Sequence, residues 1–389
     1  GSSERNISAV IDSEDTTRAL RAAHSGFYLS AKTLSVGLIG PGNVGQVLLE
    51  QMATQQEALH ESFSLDFRVR GIATSSRMLL AERSVPLANW QAEFERAAEP
   101  LDWERFAAHV DADHLPHAVM VDCSASNEVA ERYQGWFTRG MHVVTPNKKA
   151  PSGDLAYYDA IHAERRRHNA HFLYETTVGA ALPIIDTLRD LRQTGDEILN
   201  IEGIFSGTLA YLFNVYDGSQ PFSAIVRQAR DSGYTEPDPR DDLSGMDVAR
   251  KVIILAREMG LRLELNDLEV ESLVPAGLDG ESIDGFLAGL PAFDEAMQAR
   301  WQAAHDAGQV LRYVGRLNAQ DGATVSLEAL PKDHPFARMN LTDNIVRYVS
   351  RRYSDNPLVV QGPGAGPAVT AAGVFADLLR LATYLGASR

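Results

Sequence analysis

The hydrophobic positions of the first 150 residues fall into short strand-length runs separated by amphipathic stretches. Leu34-Ser35-Val36-Gly37-Leu38-Ile39-Gly40 reads as a strand buried on both faces, and Phe67–Ala73, Ala118–Cys123 and His142–Thr145 as a second, third and fourth strand. Between them, residues 44–58, 87–110 and 127–139 carry apolar side chains at helical spacing. Strand and helix in alternation predict an α/β fold class with a doubly wound parallel sheet.

Beyond Pro151 the pattern changes. Leu155–Asn169 reads as a basic helix, Phe172–Glu175 as a strand, Pro183–Leu191 as a helix, Ile198–Phe205 as a strand and Leu209–Tyr216 as a helix. Helices are predicted over 221–233, 244–260 and 369–385, and Val310–Val314 with Thr324–Ala329 as strands of an antiparallel sheet. Ahead of the first strand, Ile7–Ile11 alternates like a strand and Thr16–Leu29 reads as a helix. One strand and one helix bury no core alone, so this unit belongs to something larger.

Composition changes the picture only by exclusion. The 389 residues are 44% hydrophobic and 23% charged, as in soluble globular proteins. A net charge of −16 argues against nucleic acid, which needs a basic footprint, and against anionic membrane surfaces. No run approaches the ~18 apolar residues of a spanning helix, and Gly1–Arg5 lacks the apolar core of a signal peptide. The single cysteine, Cys123, allows neither an intrachain disulfide nor a cysteine-rich metal site. A reducing cytoplasm is the expected compartment.

Two stretches carry chemistry. Gly40-Pro41-Gly42-Asn43-Val44-Gly45 follows a strand and opens a helix, the setting in which a G-x-G-x-x-G pattern binds a dinucleotide. Its first glycine allows the turn, its second the approach of a pyrophosphate, its third close helix packing. An ordinary glycine-rich turn is the competing reading. Asp66 stands at the wrong end of the second strand to hold a ribose. The other end reads Thr74-Ser75-Ser76-Arg77, whose hydroxyls and guanidinium suit a 2′-phosphate. NADP is therefore expected, with NAD as the alternative and Arg77 as a mere loop charge the bland one.

The second stretch, Gly233–Lys251, packs Glu236, Asp238, Asp241, Asp242 and Asp247 beside Lys251. Asp247 and Lys251, four apart, share a helix face. Such a lysine moves a proton if burial or like charge lowers its pKa. Asp247 would raise it, unless a substrate ammonium occupies that carboxylate. A surface ion pair worth ~0.3–0.5 kcal/mol is the plain alternative. The remaining acids have their own plain reading as a solvated loop with a helix N-terminal charge, with a divalent-metal site as the other; the register of a calcium loop is absent.

Gly233-Tyr234-Thr235-Glu236-Pro237-Asp238-Pro239 with Asp242–Lys251 resembles the signature of homoserine dehydrogenases. So do Val144–Ala150, Glu175–Ala180, Gly203–Thr208 and Gly362-Pro363-Gly364-Ala365-Gly366, in family order over about residues 34–389. The resemblance implies reversible oxidation of L-homoserine to L-aspartate 4-semialdehyde by NAD(P), in threonine, methionine and isoleucine biosynthesis. It makes Lys251 the general acid/base and brings Lys148 near nicotinamide and substrate. Gly233, Glu236, Asp242 and Asp247 become the substrate side. Gly40, Gly42, Asn43, Val44, Gly45, Ser75, Arg77, Ser124, Lys148 and Gly366 become the cofactor side. A monovalent cation, sodium by expectation, would take mainly backbone oxygens of Glu175, Val178, Ala180 and Leu182.

The implied organisation is a Rossmann-type domain over 32–150, completed by 360–389, and an α+β catalytic and dimerisation domain with a mixed sheet over 151–359. Residues 1–31 are similar to the end of an ACT regulatory domain and a linker, with an aspartokinase half fused upstream. A homodimer is expected. Two rival functions remain: a phosphorylating semialdehyde dehydrogenase using Cys123 as nucleophile, and a non-catalytic dinucleotide-sensing module.

Overall fold

The computed structural model describes residues 33–386 other than 321 and 340, with scattered positions between 2 and 23. Ser2–Ser3 pairs antiparallel with Asn6–Ile7. Of the described residues in the strand expected over 7–11, Ile7 lies in a strand, while Ser8, Val10 and Ile11 do not; the helix expected over 16–29 falls largely outside the described residues. The chain divides into two compact units, one of residues 1–147, 159–174 and 374–389, the other of 148–158 and 175–373.

The first unit is built on β1 (Thr33–Ile39), β2 (Asp66–Ala73), β3 (Arg77–Leu80), β4 (Glu99–Pro100), β5 (His117–Asp122), β6 (His142–Val144) and β7 (Phe172–Leu173), in sheet order β4-β3-β2-β1-β5-β6-β7. The stretch β2-β1-β5-β6-β7 is parallel, while β3 and β4 add antiparallel pairs at one edge. The sheet is thus mixed, not wholly parallel. β1 is buried along its whole length, as its nearly continuous apolar run requires. Strand order reverses between β1 and β5, which makes their C-terminal ends a switch point where doubly wound folds bind ligands. Helix α1 (Asn43–Phe63) leaves that point directly after the glycine loop.

Two expected helices are broken. The stretch 87–110 becomes helices Trp90–Ala97 and Trp103–Val110, separated by β4. Pro100 cannot continue a helix, and Asp102 starts the second one by accepting from the Arg105 amide at 3.0 Å. The stretch 127–139 becomes Asn127–Ala130 and Tyr133–Thr138.

The second unit carries β8 (Ile198–Ile204), β9 (Glu269–Val270), β10 (Gln309–Asn318), β11 (Gly322–Pro331), β12 (Asp343–Ser350) and β13 (Leu358–Pro363), in order β9-β11-β10-β8-β12-β13. All neighbours are antiparallel except β9 and β11. Against it pack α3 (Gly207–Val215) and α5 (Met246–Met259), the latter following the short helix α4 (Pro239–Leu243). α5 buries Val248, Val252, Ile253, Ile254 and Leu255, each worth about 1.5–3 kcal/mol on transfer from water. That burial makes it a rigid platform for the polar residues of its first turn.

In the first unit, His142 is only 4% exposed and its Nδ1 accepts from the His171 amide at 3.0 Å. Burial, reinforced by His171 and His117, pushes its pKa down to about 3. The unfolded chain, near 6.5, binds the proton first as pH falls. Stability contributed by the neutral ring is therefore complete above pH ~6.5 and is lost toward pH 3, by about 1.4 kcal/mol per unit. Urea midpoints measured between pH 6.5 and 4 should fall less steeply for His142→Asn than for the parent protein. Equal slopes would remove His142 as the cause.

Candidate active site

The dinucleotide half lies within the first unit. Gly40 has φ +79°, and a side chain there would meet the Ser124 amide at 2.9 Å. At Gly45 a Cβ would come within 2.3 Å of the Gly40 carbonyl, so the third glycine lets α1 start tight against the turn. At Gly42, by contrast, a Cβ would meet nothing within 4 Å. The second glycine thus leaves an open cradle at the helix N-terminus, beside Asn43 and Val44, where backbone N–H groups attract phosphate.

Across the switch point, Ser124 donates to Asp122 at 2.6 Å. Asp122 is fully buried and also accepts from the Ser124 amide (2.8 Å), Tyr133 (2.5 Å) and Asn147 (2.9 Å). Burial raises its pKa against the pull of those donors. This knot, which sequence reasoning missed, ties the turn after β5 to the residue before Lys148. Burial, then Asp122, also raises the pKa of the Cys123 thiol. A half-buried thiol held protonated is a poor nucleophile, which disfavours the phosphorylating alternative.

At the end of β2, Thr74 accepts from the Arg77 amide at 3.0 Å and shapes the Ser75-Ser76 turn. The Arg77 guanidinium lies 5.2 Å over the Phe94 ring and 3.3 Å from Glu95. Asp66 begins β2 and pairs with Arg68 at 2.7 Å.

The proton-handling half lies within the second unit. Lys251 is 8% exposed, so the plain surface-pair reading fails. Its Nζ donates to the Phe205 carbonyl at 2.6 Å and pairs with Asp247 Oδ2 at 2.7 Å. Asp247 Oδ1 meets Lys148 Nζ at 3.3 Å. Lys148 immediately precedes the short helix α2 (Lys149–Ser152), which packs on α5. Burial pulls the Lys251 pKa down, Asp247 pulls it up, Lys148 pushes it down again, and the outcome is a lowered value. For Asp247, burial favours the neutral acid, but the two ammoniums outweigh it and hold the carboxylate ionised. The tension seen in the sequence therefore eases by a second lysine sharing the aspartate.

Around this pair, Asp242 accepts from the Glu236 amide at 2.8 Å. Burial raises its pKa, with Glu236 and Asp247 adding to the rise. Glu236 is exposed on the loop that Gly233 opens. Asp238 serves the fold instead: it caps α4 through the Arg240 amide at 3.0 Å and pairs with that guanidinium at 2.6 Å. Gly366 precedes the helix Pro367–Tyr384 with φ +109° and open space around it.

The turn expected to hold a cation lies in the same unit. The Glu175 carboxylate is spent on the amides of Ile184, Ile185 and Asp186, each at 2.7 Å, and its carbonyl accepts from the Val178 amide at 3.2 Å. Ala180 has φ +54°, unusual for a residue with a side chain. The Thr176 hydroxyl is buried without a hydrogen-bond partner among the described residues. A side chain at Gly373 would meet both Thr176 Cγ2, at 2.8 Å, and the Ala180 carbonyl, at 3.0 Å. The buried, unpartnered Thr176 hydroxyl in this turn suits an oxygen-only site for a hard cation. Groups of three or more histidine, cysteine or carboxylate ligands are absent among the described residues.

Moving a hydride to or from a carbon that bears oxygen requires a nucleotide to carry it and a base for the oxygen's proton. The chain has a cradle for the first and a buried, depressed-pKa amine for the second, the two features that an NAD(P)-dependent oxidoreductase acting on a CH–OH group needs. Residues 40–175 match the family model described as homoserine dehydrogenase, NAD binding domain, and residues 183–379 match the one described as homoserine dehydrogenase. The chain belongs to the homoserine dehydrogenase family.

A maize protein named bifunctional aspartokinase/homoserine dehydrogenase 2, chloroplastic, is 52% identical over the whole chain, which spans 42% of that relative. A Candida auris protein of unknown function is 36% identical, with a TM-score of 0.85 over 92% of this chain and all of its own. A hyperthermophilic archaeal homoserine dehydrogenase solved with NADPH shares the fold at 21% identity, with a TM-score of 0.70 over 92% of this chain and all of its own.

Proposed function

We propose that this chain interconverts L-homoserine and L-aspartate 4-semialdehyde, using NADP in preference to NAD. The observation that carries the reading is the buried Lys251 amine, held between Asp247 and the Phe205 carbonyl while Lys148 neutralises the other Asp247 oxygen. In the oxidative direction neutral Lys251 accepts the proton of the substrate hydroxyl; in reverse its ammonium returns it. Lys148 keeps Asp247 ionised and lowers the proton affinity of Lys251. The substrate's amino and hydroxyl end is assigned to Glu236 and Asp247, near the Gly233 backbone, with Asp242 ordering the site through the Glu236 amide. The bound dinucleotide, held by the Gly40–Gly45 loop, Ser124 and Gly366, supplies hydride acceptance. Ser75 and Arg77 support the choice of NADP.

Four further assignments rest on the resemblance. Sodium is assigned to carbonyls of Glu175, Val178, Ala180 and Leu182, supported by the orphaned Thr176 hydroxyl. The active form is assigned as a homodimer. An aspartokinase is assigned upstream, since the chain spans about two fifths of the maize relative. Residues 1–31 are read as the end of a regulatory ACT domain, and 151–359 as the catalytic and dimerisation domain. Among the described residues no helix is long and apolar enough to cross a membrane. The cytoplasm is assigned on the lone thiol, although the maize relative's own name is chloroplastic.

Steady-state reduction of NADP+ and NAD+ by homoserine tests the core of the proposal. Both should react, NADP+ with the lower KM, and Arg77→Ala should narrow the gap by about tenfold, the worth of one exposed charge-assisted contact of ~1.4 kcal/mol. No homoserine-dependent reduction of either nucleotide would sink the assignment.

A further inference from the structure

We propose that Asn344 is a positioning residue for the proton-transferring lysine, because its side-chain amide fixes the backbone carbonyl on which the Lys251 amine is anchored. The inference rests on the reading of Lys251 as acid/base. Asn344 lies in β12 and is 0% exposed. Its Nδ2 donates to the Phe205 carbonyl at 3.1 Å, the same oxygen that receives Lys251 Nζ at 2.6 Å. A carbonyl oxygen has two lone pairs, and these two donors use both.

The location explains the need. Register between β8 and β12 runs to Ile204 opposite Ile345, and one step further Phe205 faces Asn344. There the chain turns away into α3, whose first amides are capped by Ser206 accepting from Leu209 at 3.2 Å. The Phe205 carbonyl is therefore at the point where the strand ladder ends. The Asn344 side chain supplies the bond that the backbone no longer does.

Lysine geometry gives that bond a consequence. An ammonium has three protons. One goes to Phe205 and one to Asp247, and no third acceptor is present among the described residues. When the amine is neutral, its two N–H bonds keep those acceptors and its lone pair takes the third direction. The orientation of the base is thus set by two oxygens, and one of them is steady only while Asn344 holds it. Asn344 is itself locked by the glycine motif near the C-terminus: a Cβ on Gly364 would lie 2.1 Å from Asn344 Cγ and 2.3 Å from its Nδ2. Backbone of the Gly362–Gly366 loop thus lies directly on the amide, a reason for the middle glycine that dinucleotide binding does not provide.

The charged groups facing Lys251 are Asp247 on its own helix, Lys148 before α2 and Asp242 on α4. Substitution at 344 alters none of them. Asn344→Leu keeps the volume and removes the donor. The Phe205 oxygen is then free to bind the ammonium more strongly while its peptide loosens. Homoserine oxidation should lose about tenfold in turnover, as expected for a misaligned base, with KM for homoserine held within about twofold. The limb of the pH profile set by Lys251 should move to higher pH by about half a unit or more. Gly364→Ala, which pushes the amide aside, should move the same limb in the same direction, and it decides the matter if the leucine variant does not fold.

NADPH binding and the urea midpoint monitor folding in both. A folded variant with parental turnover and pH profile overturns the proposal. So does a loss of turnover with an unmoved profile, since that would mark Asn344 as merely structural. If Lys251→Met abolishes turnover while Asn344→Leu changes nothing, this inference alone falls. If Lys251→Met remains active, the underlying reading falls.

Discussion

Lys251→Met is expected to lower turnover with homoserine by more than about a hundredfold, the scale of a lost general base, while leaving NADPH affinity near the parental value. The side chain is a fair one to remove, because its departure orphans neither partner. Asp247 keeps Lys148 at 3.3 Å, and the Phe205 carbonyl keeps Asn344 at 3.1 Å. Methionine occupies a similar volume in a site that is 8% exposed, so neither a cavity nor a buried unpaired charge follows. A fold defect therefore does not mimic the chemical one. Were the lysine only half of a helix-surface ion pair, its removal would cost ~0.3–0.5 kcal/mol of stability and leave turnover alone. Turnover within tenfold of the parent, in a variant with parental NADPH binding, would show that the proton moves by another route.

How much of this was legible beforehand depends on what kind of atom does the work. β1 and β5 could be read because strands buried on both faces leave nearly continuous apolar runs, while β2, with Arg68 and Arg70, was legible from its place between two helical stretches. β12 could not be read. Its sequence, Asp343-Asn344-Ile345-Val346-Arg347-Tyr348-Val349-Ser350, interrupts the pattern with polar groups that only the fold neutralises. Arg347 pairs with Glu202 on the adjacent strand β8, and Asn344 bonds a carbonyl. Helices Ile283–Gly289 and Asp294–Asp306 escaped because the second of them buries only Ala304 and carries no apolar stripe to read.

The same division runs through the site. Asp247 and Lys251 announced themselves by four-residue spacing on one helix face. Lys148, about a hundred residues away, was implied only by resemblance, because nothing in its local sequence points at Asp247. Phe205 contributes a backbone oxygen, for which residue type carries no signal. Asp238 shows the reverse case: a conspicuous acid in the loop that caps a helix, as its plain reading as a helix N-terminal charge allowed and as Asp before Pro at a helix start commonly does.

Arg312→Met should cost about 3 kcal/mol of stability, the toll of orphaning several buried acceptors less the relief of removing a buried charge. Arg312 lies in β10, is 5% exposed, and serves oxygens rather than a carboxylate. It donates to Phe213 O (2.7 Å), Leu311 O (2.7 Å), Asn214 Oδ1 (2.8 Å), Phe336 O (2.9 Å) and Ala337 O (3.2 Å). Burial holds its pKa down to about 10, so it remains charged at neutral pH. Two of its acceptors belong to the last turn of α3, where unpaired carbonyls and the negative end of the helix dipole favour a cation.

Burying methionine there recovers packing but leaves those carbonyls dry and unpaired, and the second effect is the larger. Lysine restores the charge without the planar fork, so Arg312→Lys should lose only part of the stability. The consequence reaches the site, because the other end of α3 carries Thr208, which donates to the Tyr234 carbonyl at 2.7 Å. If α3 shifts, the substrate loop shifts with it, and KM for homoserine should rise in both variants. Urea denaturation gives the answer for the unit that carries the sheet: a methionine variant with an unchanged midpoint would mean that the guanidinium merely fills space.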